Sequence, residues 1–571
     1  MQRILARATI AITLLLSACA PWSDSVQWAD TIYIGGDLVT VDDDNPSASA
    51  LAVRNGEILA VGTNDDILAH RGPSTQVVEL GGRTMVPGFL DGHSHFINAL
   101  SVATQANVYA PPFGPGDSVA AILTALEELH ASQTFEPDVP LMAYGYDGDR
   151  MTDGRQLTAA DLDSRFPDRP VVVQHVSLHG AVLNSAALDK YGITADTETP
   201  PGGVIVRKEG SNEPAGLVME AAYEPIFSQL PRPTPADAME RLEAGQQLYA
   251  AAGITTAQEG ATFLLDLAIL KTGAKANKLF IDVVAFPFVS DFAQILRTNP
   301  RETWGRYDGG LKLGGVKVTL DGSPQGRTAY FSDDYLTGGP SGEPDWRGEP
   351  LLPESEVPEI FQRVHDLDLP LIVHCNGDAS IDLFLDSFEQ AYGTDISNDH
   401  RTAIIHSQFV RRDQLEKYRD WGLIPSFYTE HTYFFGETHI TNLGQERASF
   451  LSPMRTALDM GIRCSNHTDF NVAPIDQMFV IWSAVNRLTL GGQVLGPDER
   501  ITPLEALRAI TLDTAYWYRE EDRKGSLEVG KLADLVILDR NPLDVDPLEI
   551  KDIRVLETIK AGESIYRRKA D

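Results

Sequence analysis

The sequence predicts an α/β chain built on a (β/α)8 TIM barrel, with a β-sandwich formed by both chain termini and a subdomain inserted near the start of the barrel. Three observations predict it. Apolar strands separated by longer stretches end in residues of metal-ligand type. Both chain ends alternate apolar and polar residues around turn signals. The middle of the chain also holds more candidate strands than the eight a barrel uses. The expected layout is a leader at 1–18, sandwich segments at 19–83 and 521–571, the barrel start at 84–107, an insert at 108–234 and the rest of the barrel at 235–520.

In chain order, Arg3 and Arg7 precede an apolar run, Ala8 to Leu16, that is too short to span a bilayer and reads as a secretory leader. It ends Leu-Ser-Ala-Cys, which resembles a bacterial lipoprotein box with Cys19 acylated. Ala20 after it suggests the outer membrane, so a lipid-anchored protein of the bacterial cell envelope is expected. From Thr31 to Gly62 strands alternate about Asn55-Gly56, a hairpin signal. Ala533–Leu538 and Glu557–Tyr566 read as strands as well, the latter turning at Ala561-Gly562. Strands from both ends flanking a strand-and-helix middle suggest the sandwich.

The barrel begins at Thr84, where an apolar strand passes Pro87-Gly88 and delivers His93 and His95. In an extended chain residues two apart point to one side, so both imidazoles face one way and suit a borderline cation such as Zn²⁺. Later strands repeat the pattern. Leu-Gly-Gly-Val-Lys-Val-Thr-Leu-Asp-Gly buries Lys317, Pro-Leu-Ile-Val-His ends in His374, Thr-Ala-Ile-Ile-His in His406, and Gly-Ile-Arg-Cys-Ser-Asn-His-Thr-Asp in Asp469. In a parallel barrel the carboxyl ends of all strands open onto one face, where active sites are built. Each residue alone reads as core or capping; together they read as one site.

At these residues the chain resembles the amidohydrolase superfamily, in the branch of N-substituted formamide deformylases and D-aminoacylase-like enzymes. The resemblance rests on Pro87–His95, Ala252–Ala257, Val316–Ser323, His374, His406, Asp469 and the run from Lys524 to Asp539. It implies that His93, His95, Lys317, His374, His406 and Asp469 ligate two divalent ions, zinc by preference, with Lys317 carboxylated and bridging them. It also makes Ala-Gly-Ile-Thr-Thr-Ala the second barrel strand. Val-Pro-Leu-Met-Ala-Tyr and Pro-Val-Val-Val-Gln-His before it then belong to the insert, whose length exceeds that of ordinary loops. Its Pro200-Pro201-Gly202-Gly203 turn reads as a hairpin or lid tip.

Two neighbouring cations that share a hydroxide bring the pKa of water from about 15.7 toward neutrality. Asp469 is expected to accept the hydroxide proton and deliver it to the leaving nitrogen. Lysine serves as a ligand only once burial has lowered its pKa and CO₂ has added. A buried ion pair with Asp321 is the alternative reading of Lys317. The motif Leu-His-Gly-Ala-Val-Leu-Asn places His179 and Asn184 in the insert, with His179 expected over the metals on a substrate oxygen and capping as the competing role. Asp321 and Arg327 are expected to orient the carbamate or substrate, and Tyr428, Glu430 and His431 to line the pocket. His467 stands where the superfamily has a small residue and is expected to narrow the site. His70, His130 and His365 read as solvated helix residues. Cys375 and Cys464 read as small buried groups on different strands, without a disulfide.

Lys plus Arg number 47 and Asp plus Glu 81, a net charge of −34. Such a surface repels nucleic-acid phosphates and anionic headgroups. A small-molecule substrate is expected; a dimer is compatible with the sequence. A mononuclear deaminase of the superfamily carries His-x-x-Glu after the fifth strand, whereas Gly377 stands at that glutamate here. Hydrolysis of an amide or N-acyl or N-formyl C–N bond is the expected reaction. An ester or phosphotriester hydrolase on the same binuclear site and a non-enzymatic solute-binding lipoprotein are the alternatives.

Overall fold

Apolar runs rich in Val, Ile and Leu form the central strands, because residues covered on both faces need no polar alternation. The computed structural model describes residues 27–569, apart from 103–104, 112, 133–134, 137, 232–234, 394–395 and 397–398. The expected leader and Cys19 lie outside the described residues.

We label the central strands β1 (Phe89–Leu90), β2 (Ile254–Thr262), β3 (Asp282–Pro287), β4 (Leu311–Leu313), β5 (Val316–Thr319), β6 (Leu371–Cys375), β7 (Ala403–His406), β8 (Ile424–Phe427) and β9 (Ser465–Asn466). Strands β1 to β4 pair in parallel in chain order, as do β5 to β9. Gly314-Gly315 is all that separates β4 from β5. A parallel bridge between Phe288 and Lys317 joins the two sheets at one edge. At the other, the Asp469 amide donates to the His93 carbonyl at 2.9 Å. The result is a TIM-barrel-like α/β domain. Leu90, Val284, Phe286, Ile372 and Ile405 share a cluster with Trp517 and Tyr518. Val373 and Ile404 pack in another, with Phe361, Phe384 and Leu415 of the surrounding helices. The helix Val357–Asp366 shows why it docks: Val357, Phe361 and Val364 recur at helical spacing and are buried.

The two apolar runs in excess of the barrel pair with one another, Leu141 opposite Val171. They belong to a six-stranded sheet ordered Gly203–Arg207, Pro214–Glu220, Gly180–Leu183, Val171–His175, Leu141–Tyr146 and Ala106–Asn107. Asn184 caps the helix Ser185–Lys190, its amide oxygen accepting from the Ala187 and Val171 amides.

At the chain ends, Thr84–Pro87 runs antiparallel to Leu535–Leu538 within a six-stranded sheet. A four-stranded N-terminal sheet shares an apolar cluster with it, Tyr33, Leu51 and Val53 meeting Met85, Leu535 and Ile559. Asn55 and Gly56, at φ 52° and 80°, make the expected hairpin turn between Ala50–Arg54 and Glu57–Gly62. Cys375 and Cys464 are buried and unbonded. No helix among the described residues is long and apolar enough to cross a membrane.

Candidate metal centre

His93 leaves β1 buried, and its Nδ1 meets the Gln258 amide oxygen at 2.5 Å. Gln258 is itself fixed by donating to the Gly92 carbonyl at 3.0 Å and the Tyr518 hydroxyl at 2.9 Å. With that oxygen accepting, the His93 proton sits on Nδ1 and Nε2 is left as a lone-pair donor, the arrangement that orients a ligating imidazole. Nε2 points at Lys317 Nζ, 3.4 Å away, and at Asp469 Oδ1, 3.6 Å away. His95 Nε2 is also 3.6 Å from Asp469 Oδ1, and His406 Nε2 is 3.9 Å from Asp469 Oδ2. Ligand atoms of His93, His406 and Asp469 all fall within 4.8 Å of one another, a group that could hold a metal ion. The His374 ring lies 4.7 Å from that of His406. All six strand-end residues of the sequence reading therefore converge at one mouth.

The donor chemistry fits a divalent cation. Burial pushes the imidazoles of His93, His374 and His406 well below their ordinary range, so they stay neutral. Burial likewise brings the Lys317 ammonium down to about 7. Among the described residues no carboxylate oxygen lies within ion-pair reach of Lys317, so the expected alternative pair with Asp321 does not form. Asp321 instead accepts from the amides of Asn376, Gly377 and Tyr330 and from Ser380, and its Oδ1 sits 3.3 Å from His374 Nδ1.

A cavity of about 400 Å³ opens onto these residues. His179 reaches it from just before the strand Gly180–Leu183: its ring is 5.1 Å from that of His374 and its Nδ1 is 2.8 Å from Glu220 Oε2. Glu220 also accepts from the Thr328 hydroxyl at 2.5 Å. Burial alone would lower the His179 pKa, but attraction to Glu220 outweighs it and the value is raised. Leu178, Glu220, His406 and Asp469 all have positive φ, between 51° and 72°. Non-glycine residues hold that conformation only where surrounding contacts over-determine it, as at functional sites.

Other expected positions fall elsewhere. His467 does not narrow the cavity but stands fully buried behind His406, its Nε2 3.1 Å from His406 Nδ1 and its Nδ1 2.9 Å from the Ser426 hydroxyl. The ring packs among other rings there, 5.4 Å from that of His93 and 5.2 Å from that of Tyr428. His431 pairs with His439 at 3.2 Å and does not line the cavity, and neither do Tyr428 and Glu430. Arg327 is also outside it; its charge acts on Asp149. Sequence reasoning missed Gln258, Glu220, Thr328 and Asp91. Asp91 accepts from Thr468, and burial raises its carboxyl to about 7. Only Asp91 carried a sequence signal, its place inside the Leu-Asp-Gly-His run.

Neutral histidines and a carboxylate gathered at the carboxyl mouth of such an α/β domain mark a metal-dependent hydrolase. Comparison with known proteins defines the kind. Residues 76–566 match the amidohydrolase family, and the chain belongs to it. It is 28% identical to the N-substituted formamide deformylase of Arthrobacter pascens, over 95% of this chain and 99% of the relative. It is 27% identical to the protein LONG AFTER FAR-RED 3 of Arabidopsis thaliana, over 94% of this chain and 92% of that one. The structure of an uncharacterized metal-dependent hydrolase from Pyrococcus furiosus superposes with a TM-score of 0.68 at 25% identity, covering 90% of this chain and 100% of the other.

Proposed function

We propose that this amidohydrolase cleaves a non-peptide C–N bond, of amide, N-acyl or N-formyl type, in a small molecule. The observation that carries the reading is the convergence of His93, His406 and Asp469 within 4.8 Å, with Lys317 Nζ 3.4 Å from His93 Nε2. In this reading His93, His95, His374, His406, Asp469 and a carboxylated Lys317 hold two divalent ions, zinc by preference. Bound there, such ions would activate water as the nucleophile and polarise the substrate carbonyl. Asp469 takes a proton from the attacking water and returns it to the departing nitrogen. His179, held by Glu220, meets the substrate oxygen. The name of the Arthrobacter pascens relative supports an amide over an ester.

The same reading assigns a closed eight-strand barrel, in which β4 and β5 count as one bent strand, and a sandwich of the two terminal sheets. Their support is the pairing at both sheet edges and the shared cluster of Tyr33, Met85 and Leu535. Residues 108–234 form the inserted subdomain. Cys19 anchors the protein by lipid to the bacterial envelope; fractionation of wild type against Cys19→Ser tests this, and wild type free of membrane would overturn it.

Elemental analysis of protein purified without chelator is expected to find about two divalent ions per chain. Lys317→Ala should abolish turnover with the fold retained by circular dichroism, and short carboxylic acids should restore part of it. Near-zero metal with full activity sinks the metal reading, and an active Lys317→Ala sinks the carbamate.

A further inference from the structure

We infer that the substrate is an amide with an apolar, ring-sized substituent and no free carboxylate, a deduction that rests on the amide-hydrolase reading above. The cavity is built asymmetrically. At its inner end lie the histidines, Lys317 and Asp469. The rest of the lining is mostly apolar, with Phe263 beside β2, Phe288 and Val289 beside β3, Phe227 after the strand Pro214–Glu220, and Leu351 and Leu352 from the segment between β5 and β6. A few uncharged polar side chains, such as Asn98, Tyr223 and Ser290, stand among them. Among the described residues that line it, Lys317 is the one lysine and there is no arginine. The remaining charged liners, Glu220, Glu224, Glu259 and Asp266, are acidic.

That distribution decides what enters. A carboxylate on the substituent would leave water for a wall of leucine, valine and phenylalanine, with no guanidinium or ammonium to receive it and with the His179 imidazole already paired to Glu220 at 2.8 Å. It would also face acidic groups of the same sign. Lys317 cannot serve as its partner, because it sits among the histidines where the reacting carbonyl must be. An uncharged ring, by contrast, gains from contact with three phenylalanines. Product release follows the same logic. Hydrolysis forms a C–O bond from water and breaks the C–N bond. The nitrogen leaves as an amine that takes up a proton, and Glu224, exposed at the rim, attracts the resulting cation.

The test compares three amines carrying one phenyl ring, each as its N-formyl and N-acetyl derivative: phenethylamine, phenylalaninamide and phenylalanine, the last two as both enantiomers. The three differ at one carbon, which bears hydrogen, a neutral carboxamide or a carboxylate. The expected result is kcat/KM at least about 100-fold lower for the carboxylate than for the carboxamide, with the carboxamide near the unsubstituted amine. Ser290→Arg, on the cavity lining at the start of the helix Val289–Thr298, should narrow that gap by placing a cation beside the wall. Equal rates for carboxylate and carboxamide overturn the inference and leave the amide reading intact. An equal loss with both substituents overturns it too, because size and not charge would then discriminate. Hydrolysis of activated esters with none of these amides turned over would overturn the amide reading itself.

Discussion

At the scale of single residues, the site depends on which atom of each side chain is left free. Gln258 accepts a hydrogen bond from Nδ1 of His93, His467 buttresses Nδ1 of His406, and Glu220 holds Nδ1 of His179. Each of these imidazoles therefore presents Nε2 to the mouth. Asp469 is the carboxylate within reach of three of the histidines, which makes it the proton carrier of the proposed reaction. Asp469→Asn should cost amide turnover about 10²–10⁴-fold. An activated ester, which expels its leaving group without a proton, should lose less; equal losses would remove the shuttle role. His179 touches the substrate in this reading, and Glu220 acts through it. His179→Ala is expected to lower kcat about 10²–10³-fold and Glu220→Gln to lower it less, both with unchanged metal content. A loss that tracked metal content would make the pair structural.

At the scale of elements, β2 and the segment after β1 approach more closely than side chains normally permit. A Cβ on Gly260 would stand 2.3 Å from His93 Cε1 and 2.5 Å from its Nδ1. Glycine here makes room for the imidazole and for its bond to Gln258. Gly260→Ala should turn the His93 ring and weaken metal binding about 10–100-fold, as loss of a ligand's supporting partner does. Competition against a graded chelator measures this, and unaltered affinity would show that the strand simply yields. The six-stranded sheet beside the central strands is the other decisive element. Its turn is tied down where the Gly202 amide donates to Glu349 at 2.7 Å, beside Leu351 and Leu352 of the cavity wall. The wall is thus made by segments far apart in sequence, 221–227 and 351–352 among them.

At the scale of the whole molecule, a buried charge network joins the central strands to the C-terminal segment. Lys524 Nζ lies 2.7 Å from Asp282 and 2.5 Å from Glu520, while Lys560 bridges Asp282 and Asp534 at 2.7 Å each. Lys312 pairs with Glu520 as well. Burial alone would raise the Glu520 carboxyl, but Lys524 and Lys312 outweigh it and hold the group at about 2, below its ordinary 4.5. A carboxyl whose folded pKa is depressed stabilises the fold above its unfolded value and loses that contribution as pH falls through the folded one. Thermal stability should therefore drop between about pH 4.5 and 2. Glu520→Gln should remove that part of the acid sensitivity and cost roughly 3–5 kcal/mol at neutral pH, because buried lysines lose a counter-charge. A wild-type Tm at neutral pH in this variant would show that Lys312 and Lys524 find other partners.

The sequence by itself indicated the strands and what stands in or just beyond them. His93, His95, Lys317, His374, His406 and Asp469 were legible because each lies within or shortly after a strand-like run, and strand direction alone sends those ends to one face. The hairpin at Asn55-Gly56 was legible because its backbone conformation is a local property of two residues. The neighbours of those ends were decided by the tertiary structure. Gln258 and Glu220 meet their histidines across separations of 165 and 41 residues, and nothing in the local pattern around either marks it as a partner. The same holds for His467, which alternation would place on one face with Asp469 but which lies beyond the end of β9 and stands behind His406, and for Arg327 and His431, which stand near ligand strands but outside the cavity. Periodicity tells a side chain which face of its own strand it occupies. What fills the space opposite that face depends on packing between segments that the sequence keeps apart.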